Sequence, residues 1–171
     1  MAMRLRRRFG RWAEAAVARA FRDRQYEVLT AEGMNRMPLR DMEIRKHGIE
    51  IDIQVKGTAR LKPIDGFEYD WGNLRDYITM AKERDKRWAL VVCNVRKRLI
   101  YVFIDQIVEE YVVSAERGIG DAYSRPGRIL LEYENATRTY DLTTAEIAEG
   151  KRIAEDDPEP SSDLFADIFK E

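Results

Sequence analysis

The chain has 171 residues and a net charge of −1, and a chain of this length can form one domain with a hydrophobic core. A single cysteine and a single histidine exclude an internal disulfide and a cysteine-based zinc cluster. No apolar run approaches the ~18 residues that span a membrane, and no apolar segment follows the basic first residues as it does in a signal peptide. We therefore expect a cytoplasmic protein that does not enter a membrane.

The two ends of the chain carry opposite charge. Residues 1–24 contain eight arginines and two acidic residues, whereas residues 155–171 contain seven acidic residues and one lysine. This composition predicts a folded domain over residues 1–154 and a disordered acidic tail over residues 155–171. The arginines near the start suit contacts with the phosphates of DNA. The candidate DNA-binding residues are Arg4, Arg6, Arg7, Arg8 and Arg11.

Helices and strands alternate in the first two thirds of the chain. Apolar residues at helical spacing predict a first helix over residues 5–24. Alternating or continuous apolar runs predict strands. These strands lie over residues 26–30, 39–46, 49–57, 88–95 and 98–104. Residues 58–71 are predicted to form a loop, and a helix capped by Asn73 is predicted to follow as far as residue 85.

The rest of the domain is predicted to contain a helix from Asp105, a second hairpin and a final helix. The second hairpin joins strands over residues 128–133 and 137–142. Thr143 and Glu146 have the spacing of a capping box at the start of the final helix. The order helix, three strands, helix, two strands predicts an α/β fold in which helices flank a mixed sheet.

The central hairpin gathers polar side chains on one face. If His47 and Gly48 form a two-residue turn, Lys46 faces Ile49 and the numbers of paired residues sum to 95. Alternation then divides the hairpin into two faces. The polar face carries Asp41, Glu43, Asp52, Gln54 and Lys56. The apolar face, which is expected to join the core, carries Met42, Ile44, Ile51, Ile53 and Val55.

The polar face suits a divalent metal ion. Mg²⁺ prefers oxygen ligands, and the candidates are the Asp41 carboxylate, the Gln54 amide oxygen and the Val55 carbonyl. Phosphodiester hydrolysis uses such a metal to stabilise negative charge and to activate water. A lysine at the position of Lys56 can orient the attacking water or neutralise charge that develops on the phosphate.

These residues also resemble a known superfamily. Asp41, followed by Gln54-Val55-Lys56 within IDIQVKGT, resembles the PD-(D/E)xK nucleases in the Gln-x-Lys form that one group of homing endonucleases carries. The resemblance covers about residues 5–105. It implies a restriction-endonuclease-like core of the order αβββαβ, with Asp41 as the metal aspartate, Gln54 in the (D/E) position and Lys56 as the catalytic lysine.

The resemblance extends to the first helix and to the expected activity. Glu14 matches the helical glutamate of Holliday-junction resolvases and is implied as a further catalytic residue. The implied protein is a DNA endonuclease that requires Mg²⁺ or Mn²⁺. A nuclease that cuts both strands would act as a homodimer.

Three other interpretations remain open. Gln54 removes a negative charge from the site, so the chain is also interpretable as a nuclease-like module that binds nucleic acid without catalysis. Residues 155–171 are an alternative binding segment for a protein partner, because apolar residues recur there at helical spacing among acidic ones. The plainest interpretation is an exposed hairpin in which Glu43 and Asp52 pair with Arg45 or nearby lysines.

Overall fold

The structure is a computed structural model, and it describes residues 2–30, 40–59, 65–116 and 127–155, with the backbone alone for residues 2–8, 154 and 155. The helices are α1 (Ala2–Asp23), α2 (Trp71–Glu83), α3 (Asp105–Glu116) and α4 (Thr144–Glu155), and a short 3₁₀ helix covers Tyr133–Asn135. The strands are β1 (Glu27–Thr30), β2 (Met42–Lys46), β3 (Ile49–Thr58), β4 (Gly66–Asp70), β5 (Arg87–Asn94), β6 (Leu99–Ile104), β7 (Arg128–Glu132) and β8 (Arg138–Asp141).

Six of these strands form one mixed sheet in the order β1-β2-β3-β5-β6-β8. Neighbouring strands are antiparallel except β3 and β5, which are parallel and are joined by a crossover that contains α2. Helices α1 and α4 pack on one face of the sheet, and α2 and α3 pack on the other. The α/β class, with helices flanking a mixed sheet, is therefore confirmed.

The register predicted for the central hairpin is confirmed. Lys46 pairs with Ile49 and Glu43 pairs with Asp52. His47 has φ +52° and Gly48 has φ +77°, as expected for the two central residues of a type I′ turn. The apolar face of the hairpin is in the core beneath α1, as predicted, and the polar face points towards the side of α2.

One edge of β3 extends past its neighbour. Strand β2 begins at Met42, which pairs with Ile53, so the part of β3 from Gln54 to Thr58 has no β2 partner. Side chains from both faces of the sheet can meet at this edge. At Gly57, a Cβ atom would lie 2.9 Å from the Cβ atom of Ala13 in α1. The missing side chain lets α1 pack closely on this end of β3.

Several predicted features after residue 58 are wrong. Residues 66–70, within the predicted loop, form strand β4, which pairs with β7 in a small second sheet. The cap of α2 is Asp70, whose carboxylate accepts a 2.8 Å hydrogen bond from the backbone nitrogen of Asn73. Strands β7 and β8 do not pair with each other, because the 3₁₀ helix between them redirects the chain and β8 pairs with β6.

The last helix begins as predicted. The Thr143 hydroxyl donates a 2.8 Å hydrogen bond to the Glu146 carboxylate, and the backbone nitrogen of Glu146 donates back to the Thr143 hydroxyl at 3.3 Å. Residues 156–171, which make up nearly all of the predicted tail, lie outside the described residues. Within the described ranges, no helix is long and apolar enough to cross a membrane.

Candidate active site

Asp41 is held at the open edge of β3 by two backbone hydrogen bonds. Its own backbone nitrogen donates to the Ile53 carbonyl at 2.9 Å, and the backbone nitrogen of Val55 donates to its carboxylate at 2.7 Å. The second bond directs the carboxylate along β3 towards Lys56. Val55 thus contributes its amide group to the orientation of Asp41, and its carbonyl as a metal ligand stays a prediction.

Glu14 reaches the same place from α1. Its half-buried side chain lies close enough to the Asp41 carboxyl group for each to shift the other's pKa. Lys56 and Arg11 are close enough to stabilise its charged form. The two carboxyl groups come from positions 27 residues apart in the sequence, and the close packing of α1 on Gly57 is what brings them together.

The two carboxyl groups shift each other's pKa in opposite directions, since Asp41 raises the pKa of Glu14 whereas Glu14 lowers that of Asp41. Burial and the neighbouring Asp41 raise the pKa of Glu14 from its ordinary 4.5 to about 7. Burial also raises the pKa of Asp41, although the Val55 hydrogen bond and the charge of Lys56 act in the opposite direction. Near neutral pH this pair therefore holds a proton, and a cation placed between the oxygens would displace it.

Gln54 directly follows Ile53, whose carbonyl accepts the backbone hydrogen bond of Asp41, and is 7% exposed. Its amide oxygen is buried and has no hydrogen-bond partner among the described residues. Leaving a buried acceptor unpaired costs about 1–3 kcal/mol, so binding of a hydrogen-bond donor or a cation to this oxygen would be favourable. Two carboxyl groups and one unpaired amide oxygen are oxygen ligands of the type that Mg²⁺ and Mn²⁺ accept.

The number of acidic ligands at the site is small. No group of three or more histidine, cysteine, aspartate or glutamate side chains that could hold a metal occurs among the residues that the structure describes. A divalent ion at Glu14, Asp41 and Gln54 would therefore depend on water for its remaining ligands, as Mg²⁺ commonly does.

Lys56 lies over an aromatic side chain. Its ammonium group lies 5.1 Å from the centre of the Tyr69 ring, and the Tyr69 hydroxyl is 2.9 Å from the Tyr77 hydroxyl. Sequence reasoning missed both tyrosines. Tyr69 belongs to β4, which was predicted as loop, although the alternation of Phe67 and Tyr69 was a signal that could have revealed the strand.

Glu43 and Asp52 occupy the polar face of the hairpin as predicted, but arginines neutralise them. Asp52 is fully buried and accepts bonds from Arg40 at 2.9 Å and from Arg84 at 2.7 Å. Glu43 accepts bonds from Arg40 at 3.2 Å and from Arg45 at 2.8 Å. These two carboxylates belong to a structural ion network and do not join Glu14 and Asp41.

The candidate DNA-binding arginines can be placed only in part. The side chains of Arg4, Arg6, Arg7 and Arg8 lie outside the described residues, although their backbone is helical. Arg11 is exposed, and its charge lowers the pKa of Glu14 three positions later. One member of the predicted basic group therefore lies beside the carboxyl pair.

Comparison with known proteins adds no family. No family model matches the sequence. No curated protein matches it either. The functional conclusion therefore rests on the geometry of these residues.

Proposed function

We propose that the protein is a DNA endonuclease that uses Mg²⁺ or Mn²⁺ and contains Glu14, Asp41, Gln54 and Lys56 in its active site. One observation carries the proposal. Glu14 of α1, Asp41 before β2 and Lys56 of β3 lie in one electrostatic cluster. The charge of Lys56 lowers the pKa of both carboxyl groups, and Asp41 raises the pKa of Glu14. An exposed hairpin with alternating charges would not explain why Glu14 of α1 lies beside Asp41.

The order of elements supports a restriction-endonuclease-like core. Helix α1, strands β1 to β3, helix α2 and strand β5 follow one another, with β4 inserted before α2, and β5 is parallel to β3. Asp41 directly precedes β2, and Lys56 lies in β3 beyond its pairing with β2.

The residues divide the chemical work among them. Glu14, Asp41 and the amide oxygen of Gln54 would hold the metal, which when bound neutralises phosphate oxygens and makes water a stronger nucleophile. The Val55 amide group keeps the Asp41 carboxylate oriented. Lys56 places a positive charge beside the carboxyl groups, where it stabilises negative charge that develops on the phosphate.

The raised pKa of Glu14 gives the reaction a pH dependence. Glu14 must lose its proton before it can bind a cation, and its pKa is about 7 in the absence of metal. Metal affinity and cleavage at limiting metal are therefore expected to rise as the pH is increased from about 6 to about 8.

The test is cleavage of supercoiled plasmid, single-stranded DNA and a four-way junction with Mg²⁺ or Mn²⁺. We expect metal-dependent cutting by the wild type and a loss of at least ~100-fold in Asp41→Ala and Lys56→Ala. Glu109→Ala, in an exposed ion pair of α3 with Lys82, serves as the control and should cut normally. Equal cutting by all variants would mean that the activity comes from another site or from a contaminant.

A second candidate is a nuclease-like module that binds nucleic acid without cutting it. The observation in its favour is that Arg40, Arg45 and Arg84 already neutralise Glu43 and Asp52, so neither of these carboxylates compensates for the neutral Gln54. This candidate predicts DNA binding that weakens steeply with salt and that occurs without metal. Metal-dependent cutting that is lost in Asp41→Ala would eliminate it.

A further inference from the structure

An aromatic row connects the candidate active site to the core. Phe67 and Tyr69 are stacked with their ring centres 5.8 Å apart, Tyr69 and Tyr77 are 6.3 Å apart, and Tyr77 and Trp88 are 5.6 Å apart. Trp88 is 1% exposed and lies in β5, next to β3. The row therefore anchors the ring of Tyr69 to the rigid centre of the main sheet.

A hydrogen bond fixes the orientation of the Tyr69 ring. The Tyr69 hydroxyl is paired with the Tyr77 hydroxyl at 2.9 Å. Tyr77 belongs to α2. A tyrosine ring has two χ angles, and contacts at its edge and its hydroxyl leave it little freedom to turn.

Lys56 has no other fixed partner within the described residues. Its ammonium group forms no ion pair there, although the Glu14 and Asp41 carboxyl groups are close enough to sense its charge. The face of the Tyr69 ring attracts the ammonium group because aromatic rings carry negative charge on their faces. A lysine held by a ring keeps its positive charge available to a phosphate, whereas a lysine paired with a carboxylate does not.

We propose that Tyr69 is a positioning residue for Lys56, and that the Tyr69–Tyr77 hydroxyl pair holds the ring in place. The proposal rests on the proposed function, because it gives Lys56 a role in the reaction. It also assigns a purpose to the small β4–β7 sheet. That sheet carries Tyr69 to the edge of the main sheet where β3 extends past β2.

The first experiment measures the position of Lys56 without relying on activity. In an NMR spectrum that resolves lysine side chains, the Lys56 methylene protons next to the ammonium group should be displaced by the ring current of Tyr69, and Lys56→Arg identifies their signal. Tyr69→Leu should return the signal to the position of an exposed lysine, and Tyr69→Phe should leave it displaced. A signal in the wild type at the exposed position would overturn the proposal.

The second experiment follows cleavage. Tyr69→Leu should lower kcat roughly tenfold with little change in KM, as expected for the loss of a partly desolvated contact between a cation and a ring. Tyr69→Phe keeps the ring and should retain most of the rate, and Tyr77→Phe should have a smaller effect than Tyr69→Leu. Full activity in Tyr69→Leu, or equal losses in the Leu and Phe variants, contradicts the proposal.

The matched control is Tyr140→Leu. Tyr140 is a half-buried tyrosine of β8 whose ring carries a cation, Arg24, at 4.8 Å, but two strands separate β8 from β3. Its replacement should leave both the Lys56 signal and cleavage unchanged. If the wild type does not cut DNA at all, the proposed nuclease fails, while the NMR comparison still decides whether Tyr69 positions Lys56.

Discussion

Two acidic regions lie at the central hairpin. Both include carboxylates from its polar face, but the side chains that surround them differ. Glu43 and Asp52 pair across the strands and are bound by Arg40, Arg45 and Arg84, and we refer to this region as the ion network. Beside it, Asp41 meets Glu14 from α1, and we refer to these two residues as the carboxyl pair. Alternation places Asp41, Glu43 and Asp52 on one face, but it does not determine which cations surround them.

The difference lies in the supply of positive charge. In the ion network, guanidinium groups bond directly to both carboxylates, so the buried negative charges are compensated within the protein. In the carboxyl pair, burial raises both pKa values, and the neighbouring Asp41 raises that of Glu14 further, despite the charge of Lys56. The charges of the ion network are already compensated, whereas we propose that the carboxyl pair binds a metal ion. The same kind of residue thus serves stability in one region and, we propose, catalysis in the other.

The largest expected effect is on stability in the ion network. Asp52→Ala removes the buried carboxylate that Arg40 and Arg84 both bind, and we expect a loss of about 3–5 kcal/mol in the free energy of unfolding at pH 8. Asp41→Asn keeps an acceptor for Val55 and removes charge repulsion, so it should cost little stability. Urea unfolding of both variants measures the contrast. A larger loss in Asp41→Asn than in Asp52→Ala would reverse the roles of the two regions.

The next effect is the pH dependence of stability that Glu14 causes. Its pKa is about 7 in the native state and 4.5 ordinarily, so between these values the native state binds more protons than the unfolded state. Stability is therefore lost as the pH rises from about 4.5 to about 7, by up to about 3 kcal/mol. Glu14→Gln should be more stable than the wild type at pH 8 and similar to it at pH 4.5. Unfolding curves at the two pH values decide this, and a variant that is less stable at pH 8 would contradict the raised pKa.

The smallest expected effect comes from restoring a carboxylate at position 54. Gln54→Glu adds a negative charge next to the proposed metal ligands Glu14 and Asp41. We therefore expect roughly tenfold tighter Mn²⁺ binding, which corresponds to about 1.4 kcal/mol. Without metal the added charge should destabilise the protein at pH 8, because it joins the carboxyl pair. Thermal unfolding with and without Mn²⁺ measures both changes. If Mn²⁺ raises the melting temperature no more in the variant than in the wild type, Gln54 does not face the metal.

The sequence was sufficient to predict the parts of the fold that local patterns encode. The two-residue turn at His47 and Gly48 fixed the hairpin register, and the capping box at Thr143 marked the start of α4. The sequence was insufficient to predict pairing between strands that are distant in the chain. Strand β7 pairs with β4 and β8 pairs with β6, and a local alternation pattern cannot distinguish these partners from a hairpin between β7 and β8.

The same limit applies to the candidate site. Asp41, Gln54 and Lys56 follow from the hairpin register, and Glu14 was placed there by resemblance to known nucleases. Tyr69 could not be placed without β4, whose pairing with β7 joins residues about 60 positions apart. The arginines that neutralise Glu43 and Asp52 were only partly predicted, because Arg84 comes from the far end of α2.

The most direct test of the account is isothermal titration calorimetry of Mn²⁺ at pH 8 with three proteins: wild type, Asp41→Asn and Arg45→Ala. Arg45 is a half-exposed member of the ion network, so its removal should cost under about 1 kcal/mol of stability and leave the fold intact. We predict one bound ion in the wild type and in Arg45→Ala, and none in Asp41→Asn. Equal binding by all three proteins, or no binding by the wild type, would contradict the claim that the carboxyl pair is a metal site.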